Sequence, residues 1–133
     1  VAPIVRSHGD DKEIVARIFV APSEDAEAVR GAARFAIASY LNVPVYRAFH
    51  EWLGRSEQLA PMWAAWEQGD RPAALAAIPD EVVDALVVHG SPEECRAHIQ
   101  RYVDNGVSTP ALAVLPLAPD IDVRRSLAEL APR

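Results

Sequence analysis

The chain has 133 residues, half of them hydrophobic, which is enough to bury the core of one ordinary domain. Its formal net charge of -6 and its sequence pI of about 5.1 argue against a nucleic-acid partner, because such a partner requires a basic face. Residues 1–133 are therefore expected to form a single domain that binds no nucleic acid.

Cysteine usage and hydropathy indicate the cellular compartment. The single cysteine, Cys95, cannot form an internal disulfide, and no Cys/His cluster has the spacing of a zinc site, so no metal is expected. Residues 1–8 lack the charged-then-apolar layout of a signal peptide, and no apolar run approaches the roughly eighteen residues needed to cross a bilayer. We expect a chain that works in a reducing cytoplasm without a membrane partner.

The first predicted element is a strand over residues 14–21, where IVARIFVA is apolar except at Arg17. Such a run is typical of a parallel sheet, whose two faces are both covered, so the strand is expected to be buried on both faces. Ser23 offers a hydroxyl N-cap, which predicts a helix from there to about Leu41, before the sequence Asn-Val-Pro interrupts it.

The middle of the chain is predicted to be helical. Four helices follow one another, each ended by a glycine or opened by residues that favour a helix N-terminus. The first two lie at residues 46–53 and 57–68 and end at Gly54 and Gly69, and the other two start at Asp70 and at Pro79.

The clearest local signal lies in residues 87–106. The short apolar pair Val87-Val88 precedes a helix that Ser91 can cap, and Glu94, three residues after the cap, can reach back to the Ser91 amide as in a capping box. This helix is expected to continue to a stop at Asn105-Gly106.

Two elements close the chain, a buried strand over residues 109–115 and a helix over residues 120–130. The resulting order is strand, several helices, short strand, helix, strand, helix. This alternation predicts an α/β fold, rich in helix, with about three parallel strands.

Three segments together resemble the C-terminal third of luciferase-like monooxygenases. They are IVARIFVAPSEDAEAVRGAARFAIASYLNVPVYRAFHEWLG, IPDEVVDALVVHGSPEECRAHIQRYVDNGV and TPALAVLPL. The resemblance spans roughly Glu13 to Leu117, and residues 1–12 match the family least. Its strongest piece is PDEVVDAL followed by HGSPEECRAHIQRYVDNGV, because a Pro-Asp helix start, a glycine, a capping box and an Asn-Gly stop occur in one order.

The resemblance implies a (β/α)8 TIM barrel that binds reduced flavin mononucleotide (FMN) or the deazaflavin coenzyme F-420 at the carboxyl ends of its strands, together with a small-molecule substrate. A complete barrel has eight strands and usually around 250 residues, so the chain is expected to be a partial domain that carries the last three strands. The main cofactor-binding residues would lie outside it. By resemblance it is part of a flavin- or deazaflavin-dependent oxidoreductase and is expected to be inactive alone.

Barrel enzymes place their chemistry at the carboxyl ends of the strands, which directs attention to His89, Gly90 and Ser91. His89 can hydrogen-bond substrate or cofactor, or move a proton near neutral pH, but the favoured interpretation is a polar loop residue before a helix cap. The amides from Ser91 to Glu94 can bind an anion, but Glu93 and Glu94 would compete with one, so plain capping is favoured there. No other catalytic residue is indicated.

In the family, the helical region between the first two strands lies beside the substrate opening and contributes to dimer contacts, which makes Tyr46 and His50 candidate substrate- or cofactor-proximal residues. An aromatic and methionine group at helical spacing favours core or interface over pocket. His50 and Glu51 are adjacent on a helix and do not face each other, so they do not form an acid-base pair. The alternative function is a non-catalytic dimerisation or small-ligand-binding module that forms a homodimer.

Overall fold

The computed structural model describes residues 2–9 and 11–131, so the predicted domain 1–133 extends beyond the described residues at both ends, and Val1, Asp10, Pro132 and Arg133 lie outside them. The described residues form eight helices and three strands. In order, they are α1 (Ala2–Arg6), β1 (Val15–Ala21), α2 (Ala26–Leu41), α3 (Pro44–Trp52), α4 (Ser56–Glu67), α5 (Arg71–Ala76), α6 (Asp80–Asp84), β2 (Val87–His89), α7 (Pro92–Asp104), β3 (Thr109–Val114) and α8 (Val123–Leu130).

The three strands form one parallel sheet, which confirms the predicted mixed α/β class. Strand β1 is central: Val20 pairs with Val88 of β2 on one side and with Val114 of β3 on the other. A section cut from a barrel would keep its strands in chain order, whereas the order here is β2-β1-β3. The consecutive order implied for the last three barrel strands is therefore not the order of this sheet.

Burial of the strands differs from the expectation. In β1 only Ile18, Val20 and Ala21 are buried, while Val15 and Arg17 near its amino end are exposed. The Arg17 guanidinium lies 4.9 Å from the centre of the Phe19 ring, so a side chain of the strand itself covers part of this surface. Strand β3, at one edge of the sheet, contains no buried residue. The prediction of strands buried on both faces is wrong for the first half of β1 and for β3.

Contacts between residues divide the chain into two compact units. The expectation that residues 1–133 form a single domain stays a prediction. The first unit comprises the residues up to Ala26 together with those from Val87 onward. Its core joins the sheet to α7 and α8, since α7 contacts β2, β3 and α8. The buried core side chains are Ile18, Val20, Val88, Cys95, Ile99 and Leu130.

The second unit, Glu27–Leu86, is helical throughout. Leu59, Met62 and Trp63 of α4 are buried, and the Trp63 indole N–H donates to the Leu41 carbonyl oxygen over 3.0 Å. Because a buried indole N–H needs an acceptor, this bond fixes the end of α2 against α4.

Helices α3 to α7 lie where the sequence predicts them, to within about two residues at their ends. The glycines predicted to end α3 and α4 have positive φ angles of 76° and 81°, and the Asp70 side chain caps α5 by accepting from the Ala73 amide over 3.0 Å. Helix α8 is shorter than predicted, because its N-cap is Asp122. Helix α1 was not predicted. None of the helices in the described ranges is long and apolar enough to cross a membrane.

Candidate functional site

Strands β1 and β2 end side by side, with Ala21 paired with His89. An open cleft of about 470 Å³ lies at these carboxyl ends, and every residue that lines it belongs to the first unit. The lining residues are Ser23, Glu24, Ala26, His89, Gly90, Glu94, His98 and Arg101.

Ser23 connects the segments that follow all three strands. Its buried hydroxyl donates to Asp120 Oδ1 over 2.9 Å and accepts from the Asp25 amide over 3.1 Å. Its carbonyl oxygen accepts from the Gly90 amide over 3.1 Å. The prediction that Ser23 is the N-cap of α2 is wrong, because this helix begins at Ala26 and the Ser23 hydroxyl serves the strand ends instead.

The capping box predicted at the start of α7 is confirmed. Glu94 accepts from the Ser91 amide over 2.8 Å and from the Ser91 hydroxyl over 2.9 Å, while the Ser91 oxygen accepts from the Glu94 amide over 3.2 Å. The Ser91 amide, then its hydroxyl, and to a smaller extent the charge of His89 lower the pKa of Glu94. The Glu94 carboxylate thus occupies the start of α7, as the plain capping interpretation expects.

Two residues of the cleft, His98 and Arg101, were missed by sequence reasoning. They follow Glu94 by four and seven residues, a spacing that places all three side chains on one face of α7. The His98 ring stacks on Tyr102 with 5.8 Å between centroids. Burial lowers the pKa of His98, and the positive charges of Arg101 and His89 lower it further. The helical spacing from Glu94 is the sequence signal that could have found them.

The candidate residues predicted from sequence fall in both units. His89 and Gly90 line the cleft and Ser91 caps the adjoining helix, whereas Tyr46 and His50 lie on α3 of the second unit. Tyr46 is 47% exposed and meets the Tyr40 ring edge-to-face at 6.0 Å between centroids.

His50 is only 5% exposed, and its Nδ1 lies 3.2 Å from Arg55 Nη1. Because the guanidinium can only donate, Nδ1 accepts and the neutral ring carries its proton on Nε2. Burial lowers the pKa of His50, and the charge of Arg55 lowers it further. Glu51 pairs with Arg47 at 3.2 Å.

Cys95 packs in the core. Burial, assisted by the negative charge of Glu94, raises the pKa of its thiol to about 11. Since the thiolate is the nucleophilic form, Cys95 is not a nucleophile near neutral pH. Among the described residues, no group of three or more His, Cys, Asp or Glu side chains is arranged to hold a metal ion.

The family model for luciferase-like monooxygenases matches residues 3–109, which is most of the chain. The chain belongs to the luciferase-like monooxygenase family. Membership of this family indicates an oxidoreductase. None of the curated proteins or solved structures compared with the chain matches it.

The residues that the family model matches in this luciferase-like chain differ at both ends from the predicted span, Glu13 to Leu117. The match starts at Pro3, so it includes most of α1 and ten of the twelve residues that lie before the predicted span. It ends at Thr109, so the segment TPALAVLPL lies beyond it except for its first residue.

The cleft does not by itself match a flavin or deazaflavin ring. Cofactor pockets are mostly apolar with a few convergent polar groups, whereas this cleft is lined mainly by charged and polar side chains, with Ala26 and Gly90 as the exceptions. The residues present suit a polar or charged group of a ligand better than a planar ring system.

Proposed function

We propose that the chain is the C-terminal segment of a reduced-FMN- or deazaflavin-dependent oxidoreductase with a TIM barrel, and that it does not catalyse a redox reaction alone. The observation that carries the proposal is the family match over residues 3–109. It is supported by the position of the cleft, because barrel enzymes bind their ligands at the carboxyl ends of the strands. The proposal requires that the strands pair in chain order in the whole barrel, unlike the order β2-β1-β3 of this chain.

In this proposal the main cofactor-binding residues lie outside the chain, since the cleft does not suit the ring. Hydride chemistry belongs to the cofactor, so the protein contributes positioning and exclusion of water. We assign His89, beside Gly90 and Ser91, to hydrogen bonds with a small-molecule substrate, and the exposed Tyr46 to the substrate-side helices. The reaction would take place in a reducing cytoplasm, where the buried Cys95 stays a thiol.

Two experiments test the proposal. Anaerobic calorimetric titration of the chain with reduced FMN and, separately, with reduced coenzyme F-420 should show no saturable binding in the micromolar range, and micromolar binding of either would contradict it. Sequencing upstream of the coding region should reveal a continuous frame of about 200 further codons, as a whole barrel requires. A stop codon directly upstream would also contradict it.

A second function, homodimerisation, is favoured by one observation. Three aromatic side chains of α3 are exposed: Tyr46 at 47%, Phe49 at 50% and Trp52 at 77%. Phe49 and Trp52 lie 5.8 Å apart between ring centroids, so they form one apolar surface, and aromatic residues are enriched at interfaces.

Sedimentation analysis separates this function from the first. If a second copy covers the aromatic surface of α3, Trp52→Glu should convert a dimer to a monomer. Leu127→Glu is the control, because Leu127 is also an exposed apolar residue of a helix but lies on α8 in the other unit. A wild-type chain that is monomeric at every concentration would exclude the homodimer.

A further inference from the structure

Helix α3 turns its polar side chains inward and its apolar side chains outward. His50 is the one buried residue of this helix, and Arg47, one turn earlier on the same face, is partly buried. Val45, Phe49 and Trp52 are exposed. Because a surface helix ordinarily buries its apolar stripe, this reversed arrangement means that polar contacts, and not apolar burial, hold α3 in the second unit.

Arg47 makes the contacts that join α3 to α4. Its guanidinium lies 4.5 Å from the centre of the Trp63 ring, and its Nη1 donates to Glu67 over 2.9 Å. Its Nε donates to Glu51 of α3 itself over 3.2 Å. This attachment depends on a guanidinium, which stays charged throughout the range of pH in which histidines titrate.

The second inward contact, between His50 and Arg55, depends on the protonation state of the ring. Arg55 Nη1 lies 3.2 Å from His50 Nδ1, and a guanidinium has only donors, so the neutral ring accepts through Nδ1. A protonated ring carries an N–H on both nitrogens. Protonation therefore turns the hydrogen bond into a contact between two donors and places a second positive charge beside Arg55, where the ring is buried.

The charged groups around His50 favour its neutral form. Burial and the positive charge of Arg55 both lower the pKa of His50. Helices α2 and α4 contact α3, and the charged residues of these three helices and of the turn after α3 are Glu27, Arg30, Arg34, Arg47, Glu51, Arg55, Glu57 and Glu67. Of these residues, Arg55 is the one whose charge acts on the titration of His50, while Glu51 and Glu67 are engaged by Arg47.

We infer that α3 is a pH-sensitive arm, which stays docked on α4 while His50 is neutral and is released when the ring is protonated. The imidazolium can leave Arg55 and its buried position only if the helix that carries it moves. No apolar side chain of α3 is buried, so none opposes this movement. The inference goes beyond the proposed function and does not rest on it, because it concerns the second unit and requires neither a cofactor nor a second copy.

The docked state of α3 has a direct signature by NMR. Because the Arg47 guanidinium lies over the Trp63 ring, the ring current shifts the side-chain protons of Arg47 upfield. When the pH is lowered from about 7.5 to about 5, the His50 ring should protonate, and the upfield shift of Arg47 should be lost with the same midpoint. The helical shifts of α4 should persist.

Three results of this titration would overturn the inference. The first is a His50 ring that stays neutral down to about pH 5. The second is an upfield shift of Arg47 that survives protonation of the ring. The third is loss of the helical shifts of α4 together with the Arg47 shift, because the whole unit would then unfold and α3 would not be released by itself.

Two histidine variants make the test specific. His50→Gln keeps an acceptor for Arg55 but cannot gain a proton, so α3 should stay docked down to about pH 5. His98→Gln is the matched control, because it removes another histidine of lowered pKa from α7 in the other unit and should leave the transition of Arg47 unchanged. A transition that persists in His50→Gln, or that disappears in His98→Gln, would contradict the assignment to His50.

Arg55→Gln tests the contact between the two donors. The glutamine amide oxygen can accept from protonated His50, so more of the Arg47 upfield shift should remain at about pH 5 than in the unchanged chain. The pKa of His50 should rise at the same time, because the charge that lowers it is removed. Circular dichroism verifies that each variant is folded. A loss of the Arg47 shift as complete as in the unchanged chain would overturn the role of Arg55.

Discussion

The Ser23 hydroxyl donates to the Asp120 carboxylate over 2.9 Å, although the two residues are 97 positions apart in the chain. Ser23 lies directly after β1 and Asp120 lies after β3, so this bond joins the carboxyl ends of two neighbouring strands. The Gly90 amide, which donates to the Ser23 carbonyl oxygen, adds the end of β2. One serine therefore holds together the loops that form a wall of the cleft.

Ser23→Ala is expected to lower the free energy of unfolding by about 1 to 2 kcal/mol, because it removes a buried hydroxyl and leaves its partners without it. A double-mutant cycle with Asp120→Ala should give a coupling energy of about 1 kcal/mol. The measurement is urea denaturation. Ser7→Ala is the control, since the exposed Ser7 hydroxyl bonds only within its own turn, to the Ile4 carbonyl oxygen and to His8. A coupling energy near zero would show that the bond does not stabilise the fold.

Two glycines should respond to alanine in opposite directions. Gly90 has a φ of +117°, and a Cβ there would lie 2.8 Å from Glu94 Oε2, so Gly90→Ala strains the backbone and disturbs the capping box. Gly31 lies inside α2, and a Cβ there would meet nothing within 4 Å. Gly31→Ala should stabilise the chain by about 0.5 to 1 kcal/mol, and Gly90→Ala should destabilise it. Thermal denaturation checks both signs, and a stabilising Gly90→Ala would contradict the role assigned to this turn.

Local signals predicted much of the fold. The start of α7 depends on Ser91, Pro92 and Glu94, which interact within a single turn, so the sequence contains all the information that the capping box needs. The same holds for Asp70 at the start of α5 and for the glycine that ends α4. Such elements are predictable because their partners are three or four residues apart.

Features that depend on distant partners were not predicted. The Ser23 hydroxyl is well suited to cap the helix that follows it, but in the structure it donates to Asp120, which is 97 positions away in the chain. Strand burial followed the same rule: the run IVARIFVA is apolar, yet its exposure depends on which elements cover each part of the strand. In the cleft, the spacing from Glu94 places His98 and Arg101 on one face of α7, but that this face lies beside His89 depends on how α7 packs against β2.

Cys95 should be unreactive in the folded chain. Its thiol is fully buried and its pKa is raised to about 11, so at pH 8 very little of it is thiolate and reagents cannot reach it. A disulfide reagent that reports released thiolate spectroscopically should label Cys95 slowly in buffer and rapidly in concentrated urea. Rapid labelling of the native chain would show that α7 opens away from the sheet much more readily than its packing implies.

The His50 ring should make the second unit less stable as the pH falls. Burial and the charge of Arg55 lower the pKa of His50 in the folded chain, so the unfolded chain, with a pKa near 6.5, binds the proton more readily. The free energy of unfolding should therefore decrease as the pH falls below about 6.5 and stop changing on this account below the lowered pKa of His50. His50→Gln should make the decrease between about pH 8 and pH 5 shallower, although His98 contributes in the same direction. An unchanged slope in His50→Gln would contradict a neutral His50 in the folded chain.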